Sequence, residues 1–332
     1  MNERMQAGVV DVFGTPANIA LKAIARPSPK PGEVLVQVHA TAANFVDLLI
    51  IAGEYQFRPT LPFIPGKGPA GTVSALGSDV TDLQVGDRVL AMAEQGGYAQ
   101  YVTVAADQCY QLPSDMSFVE AASMAVVYDT AWMALRERGR IMPGEVVLVL
   151  GASGGVGQAA IQLAKAMQAT VLAGISTREK SALVPDADAI IDLSAENLRD
   201  ALRDQVNAVT NGGGADIILD PLGGDIFDAA LRALAWRGRM VVIGFAAGRI
   251  PDIRTNYLLL KNIEVSGLQI SDYRKRAVKE VAECFNEVFA FYQTGRIKPR
   301  PATSLPLSEV GQALESIRNR SVTERLVITQ TH

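Results

Sequence analysis

Hydrophobic and polar residues alternate over short segments in the first third of the chain. In EVLVQVHATAAN (33–44), Val34, Val36 and Val38 share one face, an alternation that is typical of a β-strand. The runs AGTVSALG, GDRVLAMA and GGYAQYVTV follow, separated by Gly and Asp. Closely spaced short strands with such turn residues predict a small, β-rich, barrel-like domain.

Near residue 120 the pattern changes to helical spacing, beginning with FVEAASMAVVYDTAWMALRER. EVVLVL (145–150) is then a nearly continuous apolar run, as expected of a parallel strand covered on both faces. The helix VGQAAIQLAKAMQ and the strand TVLAGI (170–175) follow, and AIIDL, ADIILD, RMVVIGF and NIEVSG supply four more strands. Six strands interleaved with helices predict an α/β fold with a doubly wound parallel sheet.

The last part of the chain predicts one long helix (DYRKRAVKEVAECFNEVFAFYQTG), a short helix (SEVGQALESIRN) and a final strand (ERLVIT). Because this tail is too short for a domain of its own, we expect it to return to the N-terminal domain. The α/β unit is then an insertion. The expected division is 1–125, completed by 269–332, for the β-rich domain, and 126–268 for the α/β domain.

The composition argues against a nucleic-acid-binding, a membrane and a disulfide-rich secreted protein. The chain has 332 residues, 48% of them hydrophobic, a net charge of −4 and two cysteines. An acidic balance does not favour nucleic acid or anionic membranes as partners. No apolar run is long enough for a membrane helix, the N-terminus lacks a secretory signal, and two cysteines make no disulfide framework. We therefore expect a cytoplasmic protein with no nucleic-acid or membrane partner.

The strongest local signal is LVLGASGGVGQAA, with the spacing Gly151-x-x-Gly154-x-x-Gly157 directly after an apolar strand and before a helix. Such a turn lets a pyrophosphate approach the backbone and meet the N–H groups at the helix start. The alternative is an ordinary tight turn between strand and helix. The predicted dinucleotide-binding residues of this turn are Gly151, Ser153, Gly154, Gly155, Val156 and Gly157.

The end of the next strand distinguishes the two nicotinamide cofactors. An NAD site usually has an acidic residue there, whereas this chain reads GISTREK. Ser176, Thr177, Arg178 and Lys180 offer two hydroxyls and two cations, which suit a 2′-phosphate. NADPH is therefore predicted over NADH, with a solvated basic loop as the alternative.

Five motifs are spread along the chain: AANFVD (42–47), PGKGPAG (65–71), GDRV (86–89), GASGGVG (151–157) and DPLGG (220–224). Together they resemble the zinc-free quinone oxidoreductase branch, the zeta-crystallin-like enzymes, of the medium-chain dehydrogenase/reductase superfamily. The resemblance covers essentially the whole chain. It implies a six-stranded Rossmann domain inserted into a GroES-like barrel domain, and a homodimer formed through the strand NIEVSG.

The turn PGKGPAG departs from the zinc-dependent relatives, whose corresponding turn carries a metal-binding histidine followed by glutamate. Lys67 stands in the place of that histidine and Gly68 in the place of the glutamate. A lysine ammonium repels Zn²⁺ rather than binding it. His39 lies in a strand pattern, where it is expected to be packed or solvated, and His332 is terminal, so no metal site is expected. The alternative for Lys67 itself is a solvated turn lysine.

The resemblance implies an acceptor site in the cleft between the domains. Asn44 would bond the acceptor carbonyl, Asp47 would shape the polar floor, and Tyr55 would offer its hydroxyl to developing oxyanion charge. The alternatives are that Asn44 caps a helix beginning at Phe45 and that Tyr55 packs in the core.

At two positions in this region, 49 and 51, relatives often have tyrosine and arginine, whereas this chain has Leu49 and Ile51. These residues make the expected pocket more apolar and remove a cation. Lys67 would restore a positive charge there and stabilise the reduced oxyanion.

The resemblance also implies cofactor contacts beyond the glycine turn. Thr130 would lie beside the nicotinamide, with a helix threonine bonding its own backbone as the alternative. Leu193 replaces a tyrosine that often contacts the adenosine, which weakens the prediction of NADPH. The remaining predicted contacts are Tyr128 near Thr130, Gly244, Phe245 and Ala246 after the fifth strand, Asn256 in a loop along the cofactor, and Arg320 toward the 2′-phosphate.

These observations lead to hydride transfer from NADPH to a small conjugated acceptor, with a quinone as the first choice. The alternative within the same class is the reduction of an α,β-unsaturated ketone, aldehyde or thioester. An alternative of another class is an NADPH-binding protein with structural or regulatory use and little turnover.

Overall fold

A computed structural model describes residues 3–330, which divide into two compact units. The first, here the β-rich unit, consists of the chain up to Val126, Arg274–Phe285 and the residues from Pro299 on. The second, here the α/β unit, consists of Val127–Tyr273 and Asn286–Lys298. Most of the α/β unit therefore lies as one continuous insertion between segments of the β-rich unit.

The regular elements are numbered along the chain. The strands are β1 Arg4–Val10, β2 Ile19–Ala25, β3 Glu33–Ala42, β4 Ala70–Leu76, β5 Arg88–Ala91, β6 Tyr101–Ala105, β7 Cys109–Gln111, β8 Val146–Leu150, β9 Thr170–Ile175, β10 Ala189–Asp192, β11 Ala215–Asp220, β12 Leu234–Val242, β13 Glu264–Gly267, β14 Ala302–Pro306 and β15 Arg325–Thr329. The helices are α1 Phe45–Ala52, α2 Phe118–Met124, α3 Val127–Met133, α4 Gly155–Ala166, α5 Leu198–Val209, α6 Gly224–Ala230, α7 Asn256–Lys261, α8 Ile270–Arg276, α9 Val278–Gln293 and α10 Val310–Arg318.

The β-rich unit is built on one large sheet and a separate antiparallel pair, β1 and β2. The sheet runs in the order β14-β15-β3-β4-β5-β7, and β6 also pairs with β3. Val34, Val36 and Val38 of β3 are fully buried in one hydrophobic core, as their alternation predicts. Leu35, on the opposite face of β3, is buried as well. The last strand of the chain, β15, pairs with β3 and so belongs to this sheet.

The α/β unit contains the predicted doubly wound parallel sheet. Its six strands run in the order β10-β9-β8-β11-β12-β13, and every pairing is parallel. The chain order reverses between β8 and β11, and ligands bind outside the carboxyl ends of strands at such a switch point. The predicted α/β fold with six parallel strands is therefore confirmed. β13 lies at the edge of this sheet, and pairing of two copies through it stays a prediction.

Two segments with helical spacing each divide into shorter helices. The segment 118–138 forms α2 and α3 and ends in a π-helical turn. Val126, between α2 and α3, has a left-handed φ of 70°. Few β-branched residues adopt that backbone conformation, and it ends the helical hydrogen-bond pattern. The C-terminal helical segment is likewise two helices, α8 and α9.

The C-terminal half of α9 and the residues after it belong to the α/β unit, whereas the sequence-based division places them with the β-rich domain. Side-chain bonds explain the difference. Glu287 on α9 accepts hydrogen bonds from Trp132 Nε1 (2.6 Å) and Arg136 Nε (3.1 Å). Gln162 Nε2 on α4 donates to the carbonyl of Lys298 (2.9 Å). These pairings are 136 to 155 residues apart in sequence, so no local pattern reveals them.

We expect Glu287→Ala to lower the free energy of unfolding of the α/β unit by about 2 kcal/mol, because it leaves a buried indole N–H and a guanidinium without their acceptor. Glu283 is exposed on the same helix, so Glu283→Ala is the matched control and should change little. Urea unfolding followed by the fluorescence of the two tryptophans measures both. Equal losses in the two variants would contradict the assignment.

Candidate active site

The glycine turn follows β8 and leads into α4. Gly151 has a φ of 61°, in the left-handed region. A Cβ on Gly157 would lie 2.5 Å from the carbonyl oxygen of Gly151 and 2.6 Å from the Cα of Ala152, so only glycine lets the helix pack this closely on the turn. A Cβ on Gly154 would meet only the Gly151 oxygen, at 3.3 Å. Gly154 is therefore not needed for packing, and its missing side chain leaves the backbone open to a ligand.

The start of α4 provides the anion-binding groups. Gln158 N donates to the carbonyl of Gly154 (2.9 Å), so the N–H groups of Gly155, Val156 and Gly157 precede the first hydrogen bond of the helix. Gln158 Nε2 donates back to the carbonyl of Ser153 (2.6 Å), which holds the turn in shape. Unpaired N–H groups at the positive end of a 12-residue helix fit a pyrophosphate.

Two hydroxyls and two cations follow the end of β9, where the sequence predicts contact with a 2′-phosphate. Ser176, Thr177 and Arg178 are exposed, and Lys180 Nζ lies 3.1 Å from Ser176 Oγ. Glu179 lies in the same turn, and its own backbone N–H and the Thr177 hydroxyl lower its pKa. The preference of these residues for NADPH over NADH stays a prediction.

The DPLGG turn after β11 brings a third predicted segment to the same sheet edge. Asp220 is fully buried, and its Oδ1 accepts from Leu222 N (2.9 Å) and Gly223 N (3.0 Å). Burial raises the pKa of this carboxyl group above its ordinary value, and the two backbone bonds oppose the rise. A Cβ on Gly151 would lie 3.1 Å from the side chain of Leu222, so the DPLGG turn lies against the glycine turn.

The predicted residues after β12 bond to the DPLGG turn. Gly244 N and Ala246 N donate to the carbonyls of Asp220 (3.4 Å) and Pro221 (3.1 Å), and Phe245 is partly exposed beside them. The structure thus brings together the glycine turn, DPLGG and residues 244–246 at the carboxyl edge of the sheet.

Two predicted nicotinamide neighbours, Tyr128 and Thr130, are buried in α3. The hydroxyl of Tyr128 donates to Gln162 Oε1 (2.8 Å), and the backbone N–H of Thr130 bonds the side chain of Asp129 (2.9 Å). Their contacts with the cofactor stay predictions.

Three further residues of the sequence analysis lie outside the segments described so far. Asn256 lies in the first turn of α7 rather than in a loop, since a short helix begins there. Leu193, which stands where relatives often have a tyrosine, is buried in the core of the α/β unit. Arg320 is exposed just after α10 in the β-rich unit, and its contact with a 2′-phosphate stays a prediction.

At the start of α1, Asn44 and Asp47 are both buried. Asn44 occupies the N-cap position of the helix that begins at Phe45, while its side-chain amide bonds elsewhere. Its Oδ1 accepts from Arg325 Nη2 (3.0 Å) and its Nδ2 donates to the carbonyl of Ala42 (3.0 Å). A direct bond from Asn44 to an acceptor carbonyl stays a prediction.

Asp47 is fully buried, and its Oδ2 accepts from Tyr98 OH (2.7 Å) and Asn44 N (3.0 Å). Burial raises the pKa of Asp47, while these bonds and the charge of Lys67 oppose the rise. The predicted role of Asp47 in the polar floor of an acceptor site stays a prediction.

Leu49 and Ile51 are the two apolar residues of α1 that stand where relatives often have polar ones, and only Leu49 is exposed enough to line a pocket. Ile51 is fully buried in a core with Leu48 and Ile50, so the prediction that it lines a pocket is wrong. The reason is the phase of the helix, which turns position 51 inward. Leu49 remains partly exposed.

Lys67 is not a solvated turn lysine, because its side chain is only 3% exposed. Its ammonium forms a salt bridge with Glu94 Oε2 and lies 5.3 Å from the centre of the Tyr55 ring. Arg274 Nη1 donates to the other carboxylate oxygen, Glu94 Oε1, at 2.8 Å, and the Arg274 side chain is 1% exposed. Lys67, Glu94 and Arg274 are called the charge triad below.

The electrostatics of the charge triad follow from burial and pairing. Desolvation alone would raise the pKa of Glu94, but the charges of Arg274 and Lys67 and their hydrogen bonds lower it to about 2. Glu94 is therefore ionised at all ordinary pH values, and the charge triad carries a net charge of one positive unit.

Two members of the charge triad were not predicted. Glu94 follows β5 in the apolar segment RVLAMAEQGGY, and Arg274 lies in the cationic segment DYRKR. A buried lysine requires a counter-charge, and this was the one available signal. It does not say which of the 35 acidic residues supplies that charge.

No group of three or more His, Cys, Asp or Glu side chains within residues 3–330 is arranged to hold a metal ion. His39 bonds Thr72 Oγ1 (3.3 Å) and stacks on Phe118 at 4.4 Å between ring centres, and His332 lies outside the described residues. None of the helices described is long and apolar enough to cross a membrane.

Two family models match the chain. The alcohol dehydrogenase GroES-like domain matches residues 30–114, and a model described as zinc-binding dehydrogenase matches residues 155–287. The chain is 37% identical to quinone oxidoreductase-like protein 2 of Bos taurus, over 90% of this chain and 86% of the relative. It is 32% identical to quinone oxidoreductase of Sus scrofa, over 98% and 97%. The chain belongs to the quinone oxidoreductase-like branch of the medium-chain dehydrogenase/reductase superfamily.

Solved structures extend this family likeness to the whole fold. A mycobacterial protein solved in complex with NADPH superimposes with a TM-score of 0.89 at 28% identity, covering 98% of this chain and 99% of that one. The CurK enoyl reductase superimposes with a TM-score of 0.86 at 25% identity, covering 100% of both chains. The predicted GroES-like and Rossmann architecture is confirmed, and the α/β unit is the NAD(P)-binding fold of this superfamily.

We expect Gly154→Ala to raise the dissociation constant for NADPH by about tenfold or more, because the added methyl group lies where the pyrophosphate approaches the backbone. The same variant should melt at nearly the parent temperature, since its Cβ meets only one protein atom. Gly157→Ala, in contrast, should lower the melting temperature without ligand. Titration of NADPH by its fluorescence and thermal melting separate the two effects, and unchanged binding by Gly154→Ala would contradict the site.

Because the pKa of Glu94 is depressed in the folded protein, its ion pairs stabilise the fold above pH 4.5, and this stabilisation is lost as the pH falls toward 2. The depression corresponds to about 3 kcal/mol. The difference in free energy of unfolding between the parent and Glu94→Gln should therefore decrease as the pH falls from 4.5 toward 2. Urea unfolding at several pH values measures it. Asp11→Asn, which breaks the exposed pair with Lys22, is the control and should cost less than about 1 kcal/mol. A difference that does not change with pH would contradict the pairing.

Proposed function

We propose that this protein transfers a hydride from NADPH to a small conjugated carbonyl acceptor, with quinones as the first candidates. The observation that carries the proposal is the buried ammonium of Lys67 against the ring of Tyr55. It stands in the turn where zinc-dependent relatives place a metal ligand. Membership of the quinone oxidoreductase-like branch and the NADPH complex of a similar structure support the same reaction.

The α/β unit would hold the cofactor. NADPH, when bound, supplies the hydride. The N–H groups at the start of α4 bind the pyrophosphate, and the side chains of Ser176, Thr177, Arg178 and Lys180 bind the 2′-phosphate. The turns at 220–224 and 244–246 line the same edge and exclude water from it.

The β-rich unit would stabilise the reduced acceptor. When a hydride adds to a conjugated acceptor, the displaced electron pair ends on the carbonyl oxygen as negative charge. A fixed cation and a phenol are suited to that oxyanion, and Lys67 and Tyr55 are proposed in these roles. The oxyanion then takes a proton from water.

A second candidate reaction is the reduction of an α,β-unsaturated ketone, aldehyde or thioester. It is supported by the similarity to the CurK enoyl reductase and by Leu49, an apolar residue that remains partly exposed on α1. Hydride addition to the carbon–carbon double bond of an enone leaves its charge on the same kind of oxygen, so Lys67 and Tyr55 would serve both reactions.

The test of function is NADPH oxidation by purified, chelator-treated protein against ortho- and para-quinones, enals and enones, with NADH in parallel. Turnover of quinones that prefers NADPH is the expected result. Turnover of enals or enones alone would favour the second candidate. Saturable NADPH binding with no turnover of any acceptor would overturn the proposal and favour a binding protein with structural or regulatory use.

We expect Lys67→Met to reduce turnover by about 100-fold, because it removes the cation that faces the oxyanion. Affinity for NADPH should not change. The variant leaves Glu94 paired with Arg274, so no buried carboxylate loses all of its partners. Lys22→Met, at an exposed lysine of the same unit, is the control and should turn over like the parent. Parent-like turnover by Lys67→Met would remove Lys67 from the reaction.

A further inference from the structure

The charge triad holds one carboxylate between two cations inside the β-rich unit. Each oxygen of Glu94 has its own partner, Lys67 on Oε2 and Arg274 on Oε1. The Lys67 and Arg274 side chains are 3% and 1% exposed, and Glu94 is 20% exposed. The arrangement is therefore a buried bridge, in which the position of each charge depends on the other two.

Burying these three charges costs free energy unless all three are present. Removing two cations and a carboxylate from water costs several kcal/mol per ion, and their mutual attraction offsets it only when every partner is in place. A lysine side chain has four rotatable carbons and no preferred direction of its own. The salt bridge to Glu94 therefore helps to fix the position of the Lys67 ammonium, and the bond from Arg274 restrains the Glu94 carboxylate.

Arg274 is itself fixed by the fold. It is the first residue of the segment in which the chain re-enters the β-rich unit. Its carbonyl accepts a hydrogen bond from Gln108 Nε2 (3.3 Å), so backbone and side chain are both anchored to that unit. The returning segment therefore positions Arg274, Arg274 restrains Glu94, and Glu94 holds Lys67.

We infer that Glu94 and Arg274 are positioning residues for carbonyl reduction, which hold the Lys67 ammonium in place. This inference rests on the proposed role of Lys67. It adds two residues to the site and assigns their action to Lys67 rather than to direct contact with the acceptor.

The groups around Lys67 make the inference measurable through the kinetic constants. Glu94 and Asp47 face Lys67 with negative or potentially negative charge, Arg274 lies across Glu94 with positive charge, and the Tyr55 ring lies beside the ammonium. Removing the Glu94 carboxylate removes the salt bridge that holds the ammonium beside the Tyr55 ring. A displaced cation stabilises less of the charge that develops only during reduction, so kcat should fall while NADPH binding does not change.

The test compares steady-state turnover of the parent, Glu94→Gln, Glu94→Asp and Arg274→Lys with NADPH and the best quinone or enone of the panel. Glu94→Gln should lower kcat by about tenfold or more at neutral pH, with the KM for NADPH unchanged within about twofold. Glu94→Asp should recover much of the loss, and Arg274→Lys, which keeps the charge but lacks the planar fork, should show an intermediate loss.

Glu145→Gln is the matched control, because Glu145 is also 20% exposed and pairs with Arg239, an arginine of the α/β unit whose side chain is 13% exposed. It should leave kcat and the KM for NADPH unchanged. Turnover is normalised to the folded fraction from circular dichroism, so that partial unfolding does not count as loss of catalysis.

Three results distinguish the ways in which the inference could fail. Parent-like kcat in Glu94→Gln, with Lys67→Met impaired, would overturn the inference and leave the proposed function standing. A loss of kcat in Glu94→Gln that Glu94→Asp does not repair would overturn it as well, since it indicates general damage. Parent-like turnover by Lys67→Met would overturn the role of Lys67 and this inference together.

Discussion

Removing a lysine ammonium from water is costly without a counter-charge, and the β-rich unit supplies one for Lys67 from distant parts of the chain. The turn that carries Lys67 follows α1, its carboxylate Glu94 follows β5, and the arginine that completes the charge triad arrives with the returning segment. The returning segments therefore supply charged side chains as well as the last strand of the sheet. Residues 274–285 and the last strand bring Arg274 to Glu94 and Arg325 to Asn44, and both polar positions depend on them.

The α/β unit, in contrast, offers backbone N–H groups that are suited to a negatively charged ligand. The start of α4 presents N–H groups where β8 ends, and the DPLGG turn and residues 244–246 close around the same sheet edge. Fixed dipoles and exposed cations suit a ligand with several negative charges. Two sites of different character result. One is an exposed, backbone-lined anion site, and the other is a buried cation held by side chains.

Most of the fold was predictable because its signals are local. Apolar runs, their spacing and the glycine turn indicated six parallel strands, and the start of α1 at Phe45 followed from Asn44 as a cap. The departures have local causes too. Val126 adopts a left-handed φ that separates α2 from α3, and Ile51 falls on the inner face of α1. Asn256 begins a six-residue helix too short for its periodicity to be recognised.

The sequence by itself determined the order of elements, the two units, the glycine turn and the presence of an unusual lysine in the PGKGPAG turn. Only the tertiary structure decided what that lysine does, because its counter-charge and the partner of that counter-charge are not its neighbours in the chain. Glu94 and Arg274 are 180 residues apart, and Asn44 and Arg325 are 281 apart. Periodicity reports which face of an element is buried, but which charges meet there depends on chain topology, and no local pattern encodes it.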